Sequence, residues 1–161
     1  MRILILSLLF IIQGCVSTDV VPQGPVFNYS SPNNKDDVTA YFYQDSMPGV
    51  TSCLLVGIAG EYKGCIGYPG FAKVVLQPGT HEVSFTPNAA IKIANLDFVF
   101  EFKLGTEYFF KYQLVTSKSA SDKAIESQHN MLLGATFGWY LVEKKQALTE
   151  LQDLKAWHKT I

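Results

Sequence analysis

Neither sign of charge is in excess: 13 lysines and arginines stand against 14 aspartates and glutamates, a formal net charge of -1. No basic patch stands out, and a chain without one has little electrostatic grip on a nucleic acid, so no nucleic-acid partner is expected. The three histidines, His81, His129 and His158, include no His-x-x-x-His pair, and there is neither a Cys-x-x-Cys nor a Gly-x-Ser-x-Gly elbow. Those gaps remove the common signatures of a zinc centre and of a serine hydrolase. No metal, no cofactor and no catalytic residue is therefore expected, and the chain reads as a non-enzyme. Internal repeats are missing too. Cysteine is rare, with Cys15, Cys53 and Cys65 as the whole complement.

Apolar surface, by contrast, is plentiful. Hydrophobic residues make up 48% of 161 positions and aromatics 13%, enough to fill one domain around a single core. At the N-terminus Met1-Arg2 brings a positive charge, and residues 3–12 are apolar except for Ser7. Ten helical residues rise about 15 Å, half of a bilayer core of roughly 30 Å, so the run suits an export signal better than a permanent span. It ends in Ile12-Gln13-Gly14-Cys15, which resembles the lipobox of bacterial lipoproteins. The resemblance implies cleavage after Gly14, a diacylglyceryl thioether on Cys15 and acylation of its new amino terminus. Several acyl chains on one residue would hold the chain to a membrane durably. An ordinary signal that happens to contain a cysteine, or a membrane-anchoring helix, is the alternative. By the same analogy, Val16 stands where an aspartate would favour the inner membrane. The expected location is thus the outer membrane of a cell envelope, facing the periplasm.

Three regions follow: a signal (1–14), a lipidated N-terminus and flexible tether (15–37), and a folded domain (38–161). The tether is inferred from Pro22, Gly24, Pro25 and Pro32 among Asn and Ser, with no periodicity. From Val38 onward the pattern alternates with period two, in 38–43, 52–58, 63–67, 71–76 and 82–86. The alternation is clearest where Leu96, Phe98, Phe100, Phe102 and Leu104 share one face, followed by Tyr108, Phe110, Tyr112 and Leu114. Ile91 and Ile93 have the opposite parity, which calls for a bulge near Ala94-Asn95. Pro78-Gly79 and Gly105-Thr106 are turn signals, each predicting a hairpin between its flanking strands. Residues 116–130 read as an exposed polar loop and 137–143 as a last strand. Ala147, Leu148, Leu151, Leu154 and Trp157 then follow helical spacing. The expected fold is mainly β: an antiparallel β-sandwich of about seven or eight strands with one C-terminal helix, or else a small β-barrel.

Thr39-Ala40-Tyr41-Phe42-Tyr43, Val56-Gly57-Ile58, Leu76-Gln77-Pro78-Gly79-Thr80-His81 and Leu104-Gly105-Thr106-Glu107-Tyr108-Phe109 come before a helix over 147–154. This succession resembles uncharacterised bacterial lipoproteins grouped as domain of unknown function 2846, over roughly residues 38–155. The resemblance implies a sandwich and an envelope location, and no activity.

Few residues carry candidate chemistry. Cys53 and Cys65 fall on predicted neighbouring strands, and a disulfide between them would contribute on the order of 3 kcal/mol; two buried free thiols are the alternative. A thiol hydrolase would need a base near Cys65, and only His81 is placed to serve, although a histidine beside a turn is usually structural. Asp36-Asp37 is adjacent in the tether and reads as solvated, and the spacing of Glu101 and Glu107 is no evidence for glycosidase chemistry. Tyr41, Tyr43 and Phe109 have outward parity. They are the candidate binding face, for a glycan or a protein, unless a helix or loop covers them. The expected function is a non-catalytic interaction module, joined to the membrane by its lipid and to an envelope protein by its domain. A small-ligand or glycan-binding module is the alternative.

Overall fold

A computed structural model describes residues 24–31, 36–45, 53–67, 69–87, 96–130 and 134–156. The expected signal, Cys15 and the first part of the tether lie outside the described residues, as do Ile91, Ile93, Trp157 and His158. The strands are β1 Val38–Gln44, β2 Leu54–Ile58, β3 Glu61–Ile66, β4 Gly70–Leu76, β5 Gly79–Pro87, β6 Phe98–Phe102, β7 Glu107–Leu114, β8 Glu126–Asn130 and β9 Ala135–Leu141. The helices are α1 Lys118–Ser121 and α2 Lys144–Leu151. Two sheets, ordered β4-β1-β7-β9-β8 and β3-β2-β5-β6, pack as a sandwich and do not close into a barrel.

Alternation fills the space between them. Val38, Ala40 and Phe42 of β1 and Tyr108, Phe110 and Tyr112 of β7 meet Val56, Val83, Phe85 and Phe102 of the other sheet. Trp139 of β9 sits in the middle, fully buried, with its ring stacked 4.3 Å from Phe85. Each such side chain contributes about 1.5–3 kcal/mol by leaving water.

Two expected hairpins are corrected by the topology. β4 and β5 belong to different sheets, and so do β6 and β7. Gly79 and Gly105 do take positive φ, 132° and 65°, but the chain crosses between sheets at each turn. A turn residue sets the reversal of the chain and not the roll of the strands it joins. Here the strands present side chains to each other across the core: Phe100 lies 5.2 Å from Tyr108 and 5.1 Å from Phe110. The true two-residue hairpin is β2–β3, where Ala59 and Gly60 take φ of 51° and 81°, as a primed turn requires. The sheets are also not antiparallel throughout, because β1 pairs with β7 in parallel, Tyr41 beside Phe109. Residues 116–130, expected as loop, hold α1 and the polar edge strand β8, which forms by pairing with β9.

The five-stranded sheet is buried on its second face as well. Tyr41, Tyr43, Phe71 and Phe109 lie under Ala147 and Leu151 of α2 and under Leu154, so the helix packs on the sheet as expected but ends at Leu151, short of the expected 154, where the chain leaves it to bond Phe27. Residues 24–31 belong to the same layer, although they fall within the stretch read as tether. Their backbone is fastened to the C-terminal segment by Gly24 N to Ala156 O (2.9 Å), Ala156 N to Pro25 O (3.0 Å) and Phe27 N to Leu154 O (2.8 Å). Phe71 N donates in turn to Lys155 O, which ties this clamp to the edge of β4. Gly24 is required there, since a Cβ would run into the Ala156 carbonyl.

Candidate functional site

The candidate binding face is buried. Tyr41, Tyr43 and Phe109 are each 1% exposed or less, because α2 and the clamp cover the outer face of the sheet. Tyr41 stacks on Phe109 at 5.0 Å and meets the edge of Phe27 at 5.7 Å. Burial first, then the nearby Glu107 carboxylate, pushes the Tyr41 phenol up to about 12. These rings are core, as the covering alternative held. Cys53 and Cys65 meet as a disulfide with Cα atoms 5.7 Å apart, a usual separation. Cys65 so bonded has no thiolate to act as a nucleophile. His81 is turned to the Gln77 carbonyl (3.0 Å). Among the described residues no group of three or more His, Cys, Asp or Glu could hold a metal.

The structure brings together a different set. Where the edge strands β3 and β4 meet beside the clamp there is an open groove of about 400 Å³. Phe27 and Phe71 supply its aromatic wall with only an edge of the buried Tyr41 reaching it, and Gly64, Ala72 and Ala156 keep it open by being small. A Cβ on Gly64 would already press on Ala72 at 3.3 Å. Lys63 and Lys73 are among the lining residues, and no acidic residue is among the described ones. Lys73 Nζ lies 5.6 Å from the centre of the Tyr41 ring and makes no ion pair among the described residues. Lys63 is paired with Glu61 at 2.6 Å, outside the groove. None of these roles was readable in advance: the residues come from three distant segments, and Lys73 shows only as a polar interruption of an apolar strand.

Two polar clusters hold the covering layer in place. Lys144 bonds both Glu107 and the Tyr29 hydroxyl (2.6 Å), and Tyr29 donates to Glu107 (3.0 Å), which pins the clamp segment to the start of β7. Midway along the strand, Lys111 reaches Asp45 (2.6 Å) and Glu150 (3.1 Å), and Tyr43 donates to Glu150 (2.7 Å). Burial alone would lower the Lys111 pKa, but its hydrogen bonds to Asp45 and Glu150 raise it overall. Glu150 is held below its ordinary value: burial opposes this, and donors from Gln146, Tyr43 and Lys111 prevail.

No protein-family model matches the chain, and no curated protein is significantly similar to it. No described helix is long and apolar enough to cross a membrane.

Proposed function

We propose that this chain is a lipid-anchored envelope protein whose sandwich is a non-catalytic interaction module, with the groove as its contact surface. The observation that carries the reading is that groove. Its aromatic wall, small-residue floor and two outward cations are contact chemistry, and they stand where the N-terminal segment enters the domain. The anchor is the diacylglyceryl and N-acyl lipid on Cys15, inferred from Ile12-Gln13-Gly14-Cys15, with the outer membrane as the location and an envelope protein as the partner. A second reading, a small-ligand or glycan module, is favoured by the same aromatic wall.

The test has two parts. Labelled palmitate is expected on the wild-type chain, and Cys15→Ala is expected to lose both the label and sedimentation with membranes. Crosslinking in intact cells is expected to recover one specific envelope partner, which a Lys63→Glu/Lys73→Glu variant no longer captures. Crosslinks that recover no specific partner would count against the module. A Cys15→Ala chain that stays lipidated and membrane-bound would overturn the anchor.

A further inference from the structure

We infer that the groove between β3, β4 and the clamp binds a single-chain anionic amphiphile: a fatty carboxylate, its head between Lys63 and Lys73 and its chain along Phe27 and Phe71. The inference rests on the reading of the groove as a binding surface, takes the small-ligand form of that reading, and names the ligand class. Charge complementarity is the first argument. The described lining carries two lysines and no acidic residue, and although Lys63 is paired with the neighbouring Glu61, Lys73 leaves the local charge positive on a chain whose formal net charge is -1. Lys73 has no anionic partner among the described residues and sits above an aromatic ring, where an incoming carboxylate can bind it without breaking an ion pair. Lys63 would exchange the exposed Glu61 for the ligand, a pair held at the surface and therefore easily exchanged.

The second argument concerns what the groove lacks. An extended peptide would dock by adding a strand, which needs free backbone groups along the wall. The clamp side offers few: Phe71 N is used by Lys155, Ala156 N by Pro25 and Phe27 N by Leu154, so a strand could add only on the open edge of β3 and not along the wall of Phe27 and Phe71. A glycan needs many directional partners for its hydroxyls, and Asn28 is the only side-chain amide among the described lining residues. Apolar contact and point charge are what remain, and an amphiphile with one anionic head uses both. A volume of about 400 Å³ lies at the small end of ligand pockets, which suits one chain better than two.

The experiment uses the full chain in isolated membranes. Three photoreactive or competing probes separate the contributions: a diazirine-bearing dodecanoate, a dodecyl glucoside with the same diazirine, and butyrate as competitor. The dodecanoate is expected to label peptides containing Phe71–Ala72 or the segment 154–156 at least tenfold more than the neutral glucoside. Unlabelled dodecanoate should abolish the labelling and butyrate should not. Lys63→Glu/Lys73→Glu should reduce it at least tenfold. If that variant fails to accumulate, Lys73→Gln, at an exposed position, should still reduce it several-fold. Equal labelling by the neutral probe, or unchanged labelling in the lysine variants, overturns the inference. Labelling by neither probe does so as well, whatever the crosslinking of the partner shows. Failure of the Cys15 test would remove the anchor and leave this result standing.

Discussion

Lys111 shows how much a single residue can depend on its surroundings. Alternation along β7 assigns it to the outer face, where a lysine would ordinarily be solvated. Because α2 covers that face, Lys111 is only 8% exposed and lies between Asp45 and Glu150. The sign of the linkage follows from the two shifts. Glu150 is lowered in the fold, so its contribution is present above its ordinary pKa of 4.5 and lost as pH falls through the lower folded value. Lys111 is raised, so its contribution is present below its ordinary 10.5 and lost as pH rises through the folded value. Lys111→Met should cost about 2 kcal/mol, less than for a fully buried pair because both carboxylates keep some contact with water. In that variant burial acts on Glu150 with less opposition, so the loss of stability on acidification should shrink. Urea midpoints followed through the carboxylate titration range measure it. Parallel pH profiles for the two proteins would show that Lys111 does not set the Glu150 shift.

At the scale of elements, the clamp behaves as an addition to the sheet edge. Gly24 to Phe27, Leu154 to Ala156 and the start of β4 are joined by backbone bonds, with Phe27 5.3 Å from Phe71 as the main apolar fastening. These bonds should open as one unit, separately from the strands of the main core. Hydrogen exchange should show the amides of Gly24, Phe27 and Ala156 exchanging together. Phe27→Ala should speed all three and leave Phe85 in β5 unchanged, whereas independent rates would mean that the clamp is not one element. The same bonds explain what could be read from sequence. The inward parity of Phe98, Phe100, Phe102, Tyr108 and Phe110 was legible, because alternation is local. Their assignment to a hairpin was not, because Gly105 fixes a reversal and only the distant partners β5 and β1 decide which sheet each strand joins. Phe27 had no periodic neighbours to mark it, and the groove it helps to form depends on β3 and β4 lying side by side. Tyr41, Tyr43 and Phe109 were read correctly as facing outward from the sandwich, but the sequence did not show how completely α2 and the clamp would cover them.

For the whole molecule, if Cys15 carries the proposed lipid, the clamp changes where the domain can stand relative to a membrane. A free stretch from Cys15 to Asp37 would span up to about 75–80 Å at 3.3–3.6 Å per residue. With Gly24 fastened to Ala156, only the nine steps from Cys15 to Gly24 separate anchor from domain, a reach of about 30 Å. Because Pro25, Val26 and Phe27 line the groove, the groove shares that limit, and the lipid anchor would keep it near the membrane surface. Neutron reflectometry on the anchored chain should therefore find a gap no wider than about 30 Å between bilayer and domain. A flexible insert of about ten residues placed before Gly24 should widen the gap by about 7 Å on average. The same insert placed within residues 32–35 lies on the far side of the clamp and should leave the gap as it was. Equal widening by both inserts would mean that the clamp opens under the anchor, and the domain would then stand at the longer distance.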